Sequence, residues 1–295
     1  MDKKLFNVYQ LKIIAIISMA IDHTAIMLGS TFMLYEPMRA IGRIAFPVFA
    51  FLLANGWNKT GSKTAYISRI MIFAAISALP HTLLLGTQSS VDFVKNGLAF
   101  SVVCMFVFVC FMLFFAENAD RHKSLFVVFS VPCFFIPFFT GRRNVLYTFL
   151  YAMLFMLFVE RMAESVKMSD KNNPSVLSAV FHSVLKKKNI MILPLLLFPQ
   201  FMVGEYEFSG VMLIVLMCIA ESLNLNRLNG IVIIFWAVNE YILKIDSPVY
   251  LIFAVFAALL CALYNGEKGS GNKYAFYIFY PLHLLVLGII RVFCF

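Results

Sequence analysis

The sequence predicts an all-α, polytopic membrane protein with its N-terminus on the cytoplasmic side, and three observations carry that prediction. Of 295 residues, 62% are hydrophobic and 13% charged, against roughly 25% charged in an ordinary soluble domain. The apolar residues, 33 Phe among them, fall into runs close to the ~20 residues that cross a hydrocarbon core. Lys and Arg alternate in density between successive connecting segments, as the positive-inside rule requires. A water-soluble globule is excluded, because it would lack the polar surface needed to cover its core.

The first run, 11–33, follows Lys3 and Lys4 but precedes no small-residue cleavage site, so it reads as a retained span. Further spans are expected at 38–57, 66–86, 97–116, 123–140, 144–160, 189–204, 208–222, 229–243, 248–264 and 275–294. That makes about eleven, with ten the alternative count. The outer segments and C-terminus hold Arg39, Arg43, Lys95, Arg142, Arg143, Lys244 and Arg291, which leaves 17 of the 24 Lys and Arg inside. The net charge of +9 is therefore explained by topology. No basic stripe with interleaved aromatics points to nucleic acid.

The long polar stretch 161–188, with Asp170-Lys-Asn-Asn-Pro174 and Lys186-Lys-Lys188, reads as a cytoplasmic loop within a single 1–295 membrane domain. The sequence shows no internal repeat of the kind that builds many transporters. The six cysteines lie in apolar stretches without CxxC or Cys/His ligand spacing, so no metal site is expected. Seven prolines, Pro47, Pro80, Pro132, Pro137, Pro194, Pro199 and Pro281, fall within spans. There they are expected to remove backbone hydrogen bonds and kink helices around a cavity, or simply to reflect the higher proline content of membrane helices.

Asp22-His23 in the first span carries the strongest chemical signal, since an ionisable group at that depth is costly unless it lines a cavity or finds a partner. At ~1.5 Å per residue, both lie about 15 Å from Lys12, and His283 lies about 13 Å in from Tyr274. Two histidines from opposite ends of the chain are thus placed at similar depth. Either a neutral imidazole there acts as base or donor, or the histidine is structural and bonded to a backbone carbonyl. Arg39 and Arg43, spaced i,i+4, share a helix face, where two like charges call for an anion. Asp22 is the candidate partner for Arg43, and Arg39 suits snorkelling to the outer headgroups. Glu240 lies near an outer end, within reach of water. Gly266, Gly269 and Gly271 read as a flexible turn, since no strand and helix start flank them.

Taken with these residues, the sequence resembles the TraX family of conjugal-transfer pilin acetylases and related membrane acyltransferases. Two blocks carry the likeness. One is Leu11-Lys-Ile-Ile-Ala-Ile-Ile-Ser-Met-Ala-Ile-Asp-His23 with Arg39-Ala-Ile-Gly-Arg-Ile-Ala-Phe-Pro-Val-Phe-Ala-Phe51 and Gly56. The other is Tyr264-Asn-Gly266 with Phe276-Tyr-Ile-Phe-Tyr-Pro-Leu-His-Leu284. Between Thr82 and Leu263 the match is one of hydropathy.

The resemblance implies acetyl transfer from cytoplasmic acetyl-CoA to an amine or hydroxyl of a membrane-associated acceptor, a pilin-like N-terminus or a glycan, in the plasma membrane. His23 would deprotonate the acceptor with Asp22 orienting it, while Arg43 and His283 stabilise the oxyanion; an acetyl-histidine intermediate is the alternative. Lys59, Lys63 and Arg69 would bind CoA phosphates, unless they are plain positive-inside charges, and Arg39 and Tyr280 complete the expected donor-binding set. Two rival readings are a transporter or flippase using Asp22, His23 and Arg43 as its polar site, and a scaffold that would tolerate Asp22→Asn and His23→Gln.

Overall fold

The computed structural model describes residues 5–86, 144–169, 206–223, 225, 228–243, 247–271 and 273–294. The expected spans 97–116, 123–140 and 189–204 lie outside these residues, as does most of the expected loop 161–188. Everything regular among the described residues is helical: α1 (Val8–Leu28), α2 (Tyr35–Gly42), α3 (Ala45–Lys59), α4 (Lys63–Leu85), α5 (Val145–Ser169), α6 (Glu207–Ser222), α7 (Leu228–Val238), α8 (Pro248–Ala262) and α9 (Lys273–Cys294). Four stretches, Val8–Leu28, Tyr35–Lys59, Lys63–Leu85 and Ala275–Cys294, are long and apolar enough to cross a bilayer, and shorter apolar helices accompany them. The protein is a helical membrane protein.

Several elements differ from the sequence expectation for local reasons. The first helix starts at Val8 because Asn7 and Gln10 form a reciprocal capping box. It stops at Leu28 because Gly29 turns the chain at φ +86°. The expected span 38–57 is interrupted at Arg43-Ile44. There the Arg43 and Ile44 amides bond three residues back, to Ala40 and Ile41, and the Ser18 hydroxyl donates to the Ile41 carbonyl at 2.7 Å. A side chain inserted into the ladder is a recognised cause of a helix break. Helix α5 runs into the expected loop as far as Ser169, since no glycine or proline stands before Pro174 to stop it. Helix α7 passes into a π-helical turn, Asn239–Leu243, that carries Glu240. Of the prolines, Pro80 and Pro281 do lie inside helices. Pro47 instead occupies the first turn of α3, where a missing N–H has least effect.

Helix α3 is the hub. It is buried along most of its length and packs on α1, α6 and α8, while α1 also packs on α2 and α9, and α4 on α5 and α9. The surface is the inverse of a soluble protein's. On α9, Ile278, Leu282, Val286, Ile289 and Phe293 face outward, spaced as one helical stripe suited to lipid. The segment before α1 is tied to the turn before α9. Leu5 N donates to Leu263 O and Asn265 N to Phe6 O, both at 2.8 Å, and Val8 N to Glu267 O at 3.0 Å. Gly266 and Gly269 adopt φ of +88° and +72° in that turn, and a Cβ at Gly269 would overlap the Asn7 side chain. Gly266 thus supplies the turn's backbone conformation, and Gly269 supplies both that and the close approach of Asn7.

Candidate active site

Asp22 and His23, adjacent on α1, point to different partners, as a ~100° step between successive helical residues requires. Asp22 accepts a hydrogen bond from Arg39 Nη1 at 2.8 Å, and Arg43 Nη2 lies 3.6 Å from the same oxygen. Arg39 is therefore the closer partner; it is drawn inward instead of snorkelling. Gly42 makes this approach possible, since a Cβ there would overlap the Asp22 side chain. The Arg43 guanidinium lies 4.7 Å from the centre of the Tyr250 ring, and the Tyr250 hydroxyl donates to Glu36 at 2.9 Å. Two cations and two carboxylates from α1, α2 and the turn after it thus converge with Tyr250 of α8. Arg43 Nε is buried without a hydrogen-bond partner among the described residues.

His23 is buried on α1, and its Nδ1 lies 2.7 Å from Nε2 of His283 on α9. Nδ1 of His283 is in turn 2.8 Å from the Phe279 carbonyl oxygen, one turn earlier on the same helix. His283 is thus bonded both to a backbone carbonyl and to His23. His283, expected to share oxyanion stabilisation with Arg43, directs its Nε2 at His23. Tyr280 packs edge-on against His283, with centroids 5.7 Å apart.

Asp22 and His23 line a small recess of about 30 Å³ with Gly42, Phe46 and Tyr206. Met19, Phe49, Val145, Phe149 and Tyr280 line this recess and also a larger cavity of about 550 Å³. Small-molecule sites typically enclose about 300–1,000 Å³. The cavity extends to the end of the bundle where α1 begins, and its described lining includes Lys12, Lys59, Arg69 and Lys268 but no carboxylate. Aromatic rings steady three of these cations: Phe276 under Lys12 at 5.0 Å, Tyr264 under Lys59 at 5.5 Å and Tyr66 under Arg69 at 5.6 Å.

The expected donor-binding residues are thus distributed unequally. Lys59, Arg69 and Tyr280 line the cavity. Lys63 does not: it pairs with Glu160, which also accepts from Trp57 Nε1 at 3.0 Å, and it sits over the Trp57 ring. Arg39 is with Asp22, away from these cations. Glu240 accepts from the Ser209 hydroxyl at 2.7 Å.

Sequence reasoning passes over Lys12 and Lys268 as cavity residues, because their convergence depends on the turn at 264–271 folding onto the start of α1. It also passes over His81, which is buried on α4. The rule that singles out intramembrane ionisable groups applies equally to that residue. Among the described residues, no cluster of three or more His, Cys, Asp or Glu side chains could hold a metal ion.

Comparison with known proteins adds two findings. The family model described as "TraX protein" matches residues 8–112 and 99–291. A protein of Dichelobacter nodosus named "Probable fimbrial assembly protein FimC, serogroup H1" is 23% identical over 98% of this chain and 97% of its own length. No solved structure matches.

Proposed function

The chain belongs to the TraX family, and on that premise we propose that it is a plasma-membrane acetyltransferase with about eleven spans. It takes acetyl from cytoplasmic acetyl-CoA and transfers it to an amine or hydroxyl of a membrane-associated acceptor. The observation that carries this reading is the cavity: among the described residues, four cations and no carboxylate at one end, an aromatic wall, and a floor shared with the recess of His23. His23 stands eleven residues after Lys12 on α1, an axial distance of about 16 Å at ~1.5 Å per residue. That suits a ligand with phosphates at one end and a long flexible arm ending in a reactive thioester. The name of the Dichelobacter relative favours a pilin-like peptide as acceptor over a glycan.

In the proposed reaction, the acceptor's nitrogen or oxygen attacks the thioester carbonyl while His23 takes the proton that it loses. The tetrahedral oxyanion forms beside the N–H groups of Arg43, whose Nε lacks another partner among the described residues. The carbon–sulfur bond then breaks, and the proton held by His23 goes to the departing CoA sulfur. Asp22 fixes Arg39 and Arg43 and thereby shapes the recess.

The test is transfer of radiolabelled acetyl from acetyl-CoA in membranes containing the protein, compared with folded His23→Ala and Asp22→Ala variants. Label reaching a peptide, a glycan or the protein itself only in the wild type is the expected result, and the labelled species identifies the acceptor. No transfer together with no CoA binding to purified protein would leave transport through the Asp22, His23 and Arg43 site as the better reading.

A further inference from the structure

The chain of contacts from His23 through His283 to Phe279 admits one arrangement of protons when both rings are neutral. A carbonyl oxygen accepts and cannot donate, so His283 Nδ1, 2.8 Å from the Phe279 oxygen, must carry a proton. A neutral imidazole has a single N–H, which leaves His283 Nε2 with a lone pair. His23 Nδ1 lies 2.7 Å from that lone pair and must therefore be the donor. The remaining nitrogen, His23 Nε2, is left unprotonated. We propose that His283 is a positioning residue that holds His23 in the Nδ1–H tautomer and so exposes Nε2 as the proton acceptor or nucleophile of the site.

The geometry favours a true hydrogen bond over ring stacking. The ring planes are within 8° of parallel and the centroids are 5.0 Å apart, while the two nitrogens are at 2.7 Å. Nitrogens can be that much closer than the centroids only when the rings meet edge to edge. His283 also draws its own orientation from α9, through a carbonyl one turn back, and α9 is packed against both α1 and α4. The tautomer imposed is the reverse of the Nε2–H form that predominates in free histidine, so it needs such a fixed acceptor. This arrangement assigns His283 a role different from that of an oxyanion donor, because its only lone pair is spent on His23 and its only N–H on Phe279.

The catalytic meaning of this inference rests on the acetyl-transfer reading, but the tautomer does not. Full-length protein labelled with ¹⁵N-histidine in lipid bilayers would be examined by solid-state NMR, with the His23 signals assigned by their loss in His23→Gln. The wild type is expected to show a protonated Nδ1 and an unprotonated Nε2 at His23. His283→Asn keeps a donor for the Phe279 carbonyl but has no atom at the Nε2 position, so His23 should revert to the Nε2–H form. His283→Gln places an amide oxygen at about that reach and should retain the Nδ1–H form. In parallel, His283→Asn should lower kcat by roughly tenfold to a hundredfold with little change in the KM for acetyl-CoA, and His283→Gln should recover most of it. A wild-type His23 protonated on Nε2 overturns the proposal, whatever the variants do. So does a His283→Asn protein with unchanged tautomer or unchanged kcat. If the wild type shows the expected tautomer and yet transfers no acetyl, the positioning of His23 stands and the enzymatic reading falls.

Discussion

Arg39 and Asp22 meet at 2.8 Å although one lies on α2 and the other on α1, and Arg43 reaches the same carboxylate oxygen at 3.6 Å. One carboxylate thus holds two guanidiniums that would otherwise repel each other on one helix face. Their side chains are only 11–20% exposed, so water screens them weakly. Removing one member of such a buried set costs about 3–5 kcal/mol. Asp22→Asn is therefore expected to destabilise the folded protein by about that much, measured by unfolding in mixed detergent micelles. A loss below about 1 kcal/mol would mean that the two arginines find other counter-charges and that Asp22 is dispensable to the fold.

Gly42 offers a sharper probe of the same junction. Its backbone is helical, so alanine would gain about 1 kcal/mol of helix propensity. Against that, a Cβ would overlap Cβ, Cγ and Oδ1 of Asp22, atoms fixed by the bond to Arg39. Overpacking of this kind costs typically about 1–3 kcal/mol, and here it has no soft side-chain end to absorb it. Gly42→Ala should be net destabilising and should reduce acetyl transfer together with stability. A stabilised Gly42→Ala protein would show that α1 and α2 can separate without harm.

The extent to which this fold and site are legible in sequence follows from what each feature depends on. The spans that coincide with α1, α4 and α9 are readable because twenty-odd apolar residues have few other uses. Asp22, His23 and Arg43 are readable because charge at mid-span is expensive. What sequence cannot supply is orientation. Whether Arg39 turns inward to Asp22 or outward to headgroups depends on the break at Arg43-Ile44. That break depends on the hydroxyl of Ser18 from another helix. The pairing of His23 with His283 is hidden for the same reason: equal depth is countable, but azimuth is set by how α1 and α9 pack. The cation cluster requires a loop of two positive-φ glycines to fold against Asn7, a contact between opposite ends of the chain.

Lys63 tests that distinction between composition and placement. By position it belongs with Lys59 and Arg69, but it is engaged by Glu160 and by the Trp57 ring. Both Lys63 and Glu160 are about 30% exposed, and partly exposed ion pairs contribute about 0–1 kcal/mol. Lys63→Met is expected to lower stability by no more than about 1 kcal/mol and to leave the KM for acetyl-CoA within about a factor of two. A large rise in KM would place Lys63 on the donor after all.

The four cavity cations should behave in the opposite way. Each hydrogen bond from a charged group to a phosphate contributes about 1.5–3 kcal/mol, and 1.4 kcal/mol is a tenfold change in affinity. Arg69→Gln and Lys268→Gln are therefore each expected to raise the KM for acetyl-CoA by roughly tenfold to a hundredfold. Both residues line the larger cavity and not the recess of His23, so they are expected to bind ground state and transition state alike. An interaction of that kind changes KM and spares kcat. Because Lys268 is exposed and Arg69 only partly buried, the wild-type KM should also rise with ionic strength, and the rise should be shallower in each variant. Steady-state kinetics at two salt concentrations decides the matter. If Arg69→Gln lowers kcat at unchanged KM, the cations act on the chemistry or the fold, and the donor must enter the recess by another route.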